Sequence, residues 1–293
     1  MSDITDKEIK AACVFISPLI VLIFLFILVP VLGTLLNSMF QDVAFLDKQF
    51  VFLRNFRQLF ADSGFRQALK FTLLFVLVSV PIEIVLGMAF AMLMNTHIPL
   101  RGLLRACVLI PWAIPAAVSG RIWELIYNYS YGLANFIFTE LGITTEPVNW
   151  LGTSLGAFIA VVIADVWKTT PFAAIILLAG LQAIPVELLN QARVDRANFL
   201  QVFYKVVLPL MKPIIIVALL FRTIDGLRVF DLIYVLSGGG PGGATTSISH
   251  YAYKYFLGGD FGYGSAVSVI LFMIAFLLSV FYVKAGRFMT GQV

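Results

Sequence analysis

Six apolar stretches, each long enough to cross a bilayer as a helix, constrain this chain more than any other feature. Crossing about 30 Å of hydrocarbon takes about 20 apolar residues in a helix. Residues 12–37, 71–94, 106–126, 154–181, 214–235 and 264–283 meet that requirement. Backbone in lipid must satisfy its own hydrogen bonds, so runs of this length fold as helices. Composition agrees: 60% of the 293 residues are hydrophobic and only 12% are charged. Soluble domains hold about 45–50% apolar and about 25% charged residues. The reading is an all-α integral membrane protein with six transmembrane helices. A net charge of +4, scattered over loops, points to topology control and away from nucleic acid.

The lead MSDITDKEIK precedes the first run. That run is too long for a signal-peptide core and no small-residue cleavage site follows it, so it is read as a retained helix. Residues 1–11 then form a cytoplasmic N-terminus, and 12–293 one six-helix transmembrane domain. Cys13 and Cys107 fall near the starts of two runs and support no disulfide or metal site. Both are expected to be small buried hydrophobes. His97 and His250 are isolated and are expected in solvated loops.

Orientation follows from basic residues in the loops. With the N-terminus inside, segments 1–11, 95–105, 182–212 and 284–293 are inside. They carry Lys7, Lys10, Arg101, Arg105, Arg193, Arg196, Lys205, Lys212, Lys284 and Arg287. The outer segments 38–70, 127–153 and 236–263 are longer in total and carry Lys48, Arg54, Arg57, Arg66, Lys70 and Lys254. The bias places both termini in the cytoplasm. Trp150 stands at the start of a span, where an interfacial anchor is usual. The stretch SGGGPGGA, 237–244, has the Gly238–Gly243 spacing of a phosphate loop but Ala244 where lysine is required. It reads as a flexible turn, so the chain holds no ATP of its own. Pro111 and Pro115 are expected to kink the third span.

Between the fourth and fifth spans lies QAIPVELLNQARVDRANFLQVFYKVVLPLMKP, residues 182–213. Pro185 suits the first turn of a helix, and Glu187 suits its positive end. Phe199, Val202, Phe203, Val206 and Val207 recur at three and four, an apolar helical stripe. Pro209 and Pro213 are expected to break the run before the fifth span. The pattern is a short polar helix, a bend near Arg196–Asn198, and an amphipathic helix leading into the membrane. A helix lying on the bilayer explains 199–208 but not the polar 186–198, which reads as a docking surface for a soluble partner.

That loop resembles the cytoplasmic "EAA" loop in the permeases of type I, binding-protein-dependent ABC importers. The family pattern is E-A-A, three residues, Gly, nine residues, then I-x-L-P. Here it falls on Asn190-Gln191-Ala192, then Arg196, then Val206-Val207-Leu208-Pro209. Asn190 replaces the family's Glu and Arg196 its Gly. Residues 109–128, 166–172, 228–247 and 260–272 are also similar to sugar-importer permeases of the maltose, trehalose and glycerol-3-phosphate group. The resemblance implies a heterodimer with a second permease, two ATPase subunits that hold ATP and magnesium, and an extracytoplasmic binding protein, all at a bacterial cytoplasmic membrane. It implies ATPase-coupling roles for Glu187, Asn190, Ala192, Asp195, Arg196, Ala197 and Phe199. A glycine permits a tight bend, so Arg196 must bend otherwise or be strained.

Ionisable residues inside spans cost about 2.5–3.5 kcal/mol each on insertion scales and invite a functional reading. Asp165 and Lys168 are three apart and can pair, as can Arg222 with Asp225 and Asp225 with Arg228. These are either structural ion pairs or part of a polar pathway. The resemblance adds Thr169 and Phe172 in span four, and Gly226 and Val229 in span five, beside Asp165 and Arg222. Gly226 and Val229 carry no polar groups, which leaves open whether the sugar site lies here or on the partner. Arg222 and Arg228 keep a phosphorylated polyol open as an alternative cargo. A secondary transporter is the rival of another class, but no internal repeat supports it. No catalytic motif and no metal ligand set is present, so the expectation is a transport subunit and not an enzyme.

Overall fold

A computed structural model describes residues 6–96 and 99–290; His97 lies outside them. The chain divides into two compact units, Met1–Ala61 with Ala252–Ile270, and Asp62–Tyr251 with Leu271–Val293.

The first unit begins with α1 (Asp6–Ile23), a π-turn (Phe24–Leu28) and α2 (Val29–Asn37), which together cover the first expected span. Pro30 has no N–H to give. The Val29 N–H reaches back five residues to the Phe24 carbonyl, and this slip accommodates the proline without ending the helix. The most apolar part of this rod buries nothing within the chain. Cys13 is accordingly exposed, not buried as expected. A small hairpin follows, β1 (Phe40–Gln41) against β2 (Gln49–Phe50), then α3 (Arg54–Ala61). Asn55 locks the hairpin by donating to the Ser38 and Phe40 carbonyls, both at 2.8 Å.

The second unit is built on two long helices, α4 (Ser63–Asn95) and, after three shorter ones, α8 (Ser154–Gln182). Asp62 caps α4 by accepting from the Gly64 N–H, and Thr153 caps α8 by accepting from the Gly156 N–H. Between them in sequence stand α5 (Arg101–Ala113), α6 (Ala116–Ile126) and α7 (Leu133–Glu140). Lipid offers no hydrophobic drive between helices, so close packing holds them. A Cβ at Gly87 would come within 3.0 Å of the Ala173 Cβ, which explains glycine where α4 meets α8. Trp150 is more than an interfacial anchor. Its ring N–H donates to Asn135 Oδ1 at 2.8 Å, and Asn135 also ties the Tyr129 and Val148 backbone.

Among the described residues five helices are long and apolar enough to span, and α5 with α6 pass the same test only as a pair, bent by 91°. The third expected span is therefore not a kinked rod but two short helices parted at Ile114–Pro115. After α8 come α9 (Val186–Val194), α10 (Phe199–Val202), a π-turn (Phe203–Val207) and α11 (Leu208–Leu227). The fifth span differs from the expected 214–235: the helical run is Phe199–Leu227, and Asp231–Leu236 is a separate helix, α12. Pro209 and Pro213 do not break it. The Leu208 N–H bonds to the Phe203 carbonyl, so a π-turn again stands directly before a proline.

Residues 237–247 form the expected glycine turn, with Gly238, Gly239, Gly242 and Gly243 at positive φ. The turn is wired more tightly than a flexible connection. Thr245 Oγ1 donates to the Gly240 carbonyl, Thr246 Oγ1 to that of Gly239, and Ser247 Oγ to that of Val229. The chain ends in α13 (Ile248–Leu257) and α14 (Phe261–Thr290). His250 is not in a solvated loop: it is buried on α13, edge-on to the Phe230 and Tyr234 rings.

Candidate functional site

The straight run of α11 carries Arg222 into the protein, where it is 3% exposed. Its Nε donates to Glu83 Oε2 at 2.5 Å and its Nη2 to Glu83 Oε1 at 3.2 Å. Nη2 also lies 3.5 Å from Asp165 Oδ2. Nη1 donates to Asp225 Oδ2 at 3.4 Å, and Asp225 Oδ1 accepts from Arg228 Nη2 at 2.6 Å. Both expected i,i+3 pairs around Asp225 are formed. The fully buried Glu83 is the residue that sequence reasoning missed. The same rule that singled out Asp165 applies to a glutamate inside the otherwise apolar second span. A buried guanidinium is tolerable only with partners this complete.

Asp165 and Lys168 do not pair as expected. Lys168 Nζ donates to the Ile114 carbonyl at 2.5 Å, with the Trp112 carbonyl at 3.5 Å. The physical reason is the break in the third span. The last carbonyls of α5 lose their helical donors there, and a cation at a helix C-terminus meets both need and dipole. Asp165 is left to Arg222. Its Oδ2 is buried and makes no hydrogen bond.

These groups open onto a cavity of about 260 Å³ between α8, α11, α12 and the break. Asp165, Lys168, Thr169, Arg222, Asp225 and Val229 line it, together with Trp112, Arg228, Phe230 and Asp231. The lining side chains carry as many carboxylates as cations. Two residues expected in the pathway are not among those lining it. Phe172 stacks on Trp112 at 5.8 Å and meets Phe221 edge-on at 6.3 Å, so it backs the wall. Gly226 is a packing position, since a Cβ there would sit 3.1 Å from Val76.

The second constellation is the loop between α8 and α11. Helix α9 starts after Pro185, which is its N-cap, and Glu187 lies in its first turn. Its C-terminus closes in the double hydrogen-bond pattern of a helix ending in a left-handed residue. The Ala197 N–H bonds to the Ala192 carbonyl and the Arg196 N–H to that of Arg193, each at 3.0 Å. Arg196 has φ +53°, the conformation that a glycine adopts freely. Of the two outcomes open to Arg196, strain is the one realised. Asn198 then opens α10 with a capping box: its Oδ1 accepts from the Gln201 N–H, and Gln201 Oε1 accepts from the Asn198 N–H.

Burial sorts the loop residues. Ala192 faces inward at 7% exposure, while Glu187, Asn190, Asp195, Arg196 and Phe199 are exposed and Ala197 is half-buried. Glu187, Asn190, Gln191, Val194 and Asp195 line one concave surface. Their spacing of three and four places them on a single helix face. Asn190 lacks a charge, but Glu187 one turn earlier and Asp195 at the helix end bracket it with carboxylates.

Comparison with known proteins identifies the family. The family described as binding-protein-dependent transport system inner membrane component matches residues 83–286. The chain is 51% identical over 288 residues to the trehalose/maltose transport system permease protein MalF of Thermococcus litoralis, covering 98% of this chain and 97% of that one. It is 41% identical over 239 residues to the trehalose transport system permease protein SugA of Mycobacterium tuberculosis, covering 81% and 75%. Its fold is that of a chain in a crystal structure of a bacterial alginate ABC transporter in complex with an alginate pentasaccharide-bound periplasmic protein. There the TM-score is 0.81 at 23% identity, over 97% of this chain and 96% of that one. A match through both the buried ion-pair helices and the α9 loop, with a relative aligned end to end, places the chain among the inner-membrane permeases of binding-protein-dependent ABC transporters.

Proposed function

We propose that the chain forms half of the translocation pathway of an ATP-driven importer for a neutral mono- or oligosaccharide. The carrying observation is the cavity beside Asp165. Asp165 lines it, its Oδ2 buried 3.5 Å from Arg222 Nη2 and without a hydrogen bond, among balanced charges and the Trp112 and Phe230 rings. A saccharide offers hydroxyl donors to such an oxygen and apolar faces to such rings. Arg222 already meets Glu83, Asp165 and Asp225, so it has no unneutralised charge for a phosphorylated polyol. The names of the relatives, trehalose/maltose and trehalose permeases, favour the same class.

In this reading a second permease completes the pathway, and an extracytoplasmic binding protein delivers the sugar. Two ATPase subunits, holding ATP and magnesium, drive the cycle from the cytoplasmic side, where both termini lie. The exposed face of α9 docks on one of them. Ala192 holds that helix to the membrane domain, and the left-handed bend at Arg196 sets its angle to the fifth span.

Reconstitution of the full importer in proteoliposomes tests both parts. Asp165→Asn should lower disaccharide uptake about tenfold or more while ATP hydrolysis continues, because a hydroxyl loses its charged acceptor. Uptake of glycerol-3-phosphate in preference to neutral sugar would overturn the substrate class. Arg196→Glu should leave ATP hydrolysis running with little uptake; unchanged coupling would remove this arginine from the docking surface.

A further inference from the structure

The ends of α4, α5 and α8 meet around two arginines that have no acid. Arg101 Nε donates to the Met94 carbonyl at 2.7 Å. With the Gln182 amide turned so that its oxygen faces them, Arg101 Nη2 and Arg105 Nη2 both donate to it, at 3.3 and 3.1 Å. Arg105 Nε is buried with no partner. Neither guanidinium forms an ion pair among the described residues. Two cations converging on one neutral oxygen repel each other, and an anion between them removes the repulsion.

An apolar groove of about 580 Å³ is lined by α4 and α5, the two helices whose ends hold this pair, together with α6 and α8. Ile82, Leu86 and Phe90 of α4 form one wall, and Cys107, Val108 and Pro111 of α5 another. Phe90 lies one turn before Met94, and Val108 nearly one turn beyond Arg105. The groove therefore starts about 5 Å along the helices from the arginines, and Phe90 to Ile82 alone extends about 12 Å. Ile82, Leu86 and Phe90 are each partly exposed on the outer surface, at 40%, 40% and 37%. Basic groups at a helix end with an apolar channel leading inward match a molecule with an anionic head and a hydrocarbon tail.

We propose that this is a site for an anionic membrane lipid, its phosphodiester held by Arg101 and Arg105 and one hydrocarbon chain lying in the groove. The lipid clamps the start of α5 to Gln182, the last residue of α8. Gln182 stands four residues before α9, so the clamp sits at the root of the docking helix. The proposal does not depend on which sugar the importer carries.

Cys107 lines the groove and is a built-in reporter. Changing Cys13→Ser makes it this chain's single thiol. The complete importer, with all partner subunits, is placed in nanodiscs of phosphatidylglycerol or phosphatidylcholine, and N-ethylmaleimide addition to the Cys107 peptide is timed by mass spectrometry. Two arginines near a phosphate should make modification slower in phosphatidylglycerol by about tenfold. Arg101→Gln with Arg105→Gln should abolish the difference, and Arg101→Lys with Arg105→Lys should keep most of it, which separates lost charge from lost fold. Equal rates in the two lipids for the otherwise native chain would overturn the proposal. So would protection of Cys107 in lipid-free detergent, which would mean that a neighbouring subunit covers the groove. Slowing by inorganic phosphate alone in phosphatidylcholine would overturn it too, as a site for a free anion.

Discussion

Two spans of this permease carry prolines four residues apart, and they meet opposite fates. At Pro111 and Pro115 the third span turns by 91°, while past Pro209 and Pro213 the fifth runs unbroken from Phe199 to Leu227. Ile114, before Pro115, has ψ 132°, the extended conformation that a following proline favours. Leu208, before Pro209, stays helical at φ −60°, ψ −42° because the preceding π-turn shifts its hydrogen bond by one residue. Pro30 repeats that solution in the first span. A proline removes one donor, and the outcome depends on what else can serve the carbonyls it orphans. In the fifth span the helix serves itself. In the third, Lys168 arrives from α8.

The contrast can be broken most severely through what the straight span carries. Because α11 is unbroken, Arg222 reaches Glu83. Glu83→Ala takes from the buried guanidinium its shortest partner, leaves only the longer contacts to Asp165 and Asp225, and should cost about 3 kcal/mol. Thermal denaturation of the purified importer would show it as a large fall in midpoint or as failure to assemble. Glu83→Leu with Arg222→Met should regain only part of the stability, since the apolar pair removes two desolvation penalties but leaves the buried Asp165 without its cation. Uptake should stay low in that double variant, because the cavity loses one of its three cations. A stable Glu83→Ala protein would show that the pair does not hold α11 in place.

The bent span breaks through Lys168. Lys168→Met keeps the length of the side chain and removes the donor to the Ile114 carbonyl. A charged hydrogen bond lost at a half-buried site should cost about 2 kcal/mol. Uptake should fall further than stability, since the α5–α6 break forms one wall of the Asp165 cavity. Lys168→Arg should retain much of both. If Lys168→Met transports normally, the break is held by packing alone.

These two spans also mark how far the sequence could be read. Apolar length alone located the membrane helices, and the three-residue spacing around Asp225 gave both of its ion pairs. Spacing within a helix cannot pair Glu83, because its partner lies 139 residues away. The same local logic pairs Lys168 with Asp165, but its partner is a backbone carbonyl freed by a break that only the folded chain reveals. Pro209 read as a helix breaker because a π-turn leaves no mark in the residue pattern. Residue type alone predicts Cys13 and Cys107 to be buried, but both are exposed, because exposure in a membrane subunit depends on which faces meet lipid or other chains. The loop motif was legible in spacing, and its departures from the family pattern forecast where strain would lie.

That strain gives a third bend, one made without proline, and the smallest effect of the series. Arg196 closes α9 at φ +53°, where a Cβ crowds the backbone at a cost of about 1–2 kcal/mol. Arg196→Gly should therefore raise the stability of the purified importer by about 1 kcal/mol. Arg196→Ala should not, because alanine keeps the Cβ and loses only the guanidinium. The pair of variants separates backbone from charge. If glycine stabilises and coupling of ATP hydrolysis to uptake survives, the guanidinium is dispensable and the bend alone matters. If glycine and alanine uncouple alike, the side chain reaches the ATPase, and the strained backbone is tolerated because that contact requires an arginine there. Equal stability of all three proteins would mean that the hydrogen bonds closing α9, and not the left-handed residue, fix the bend.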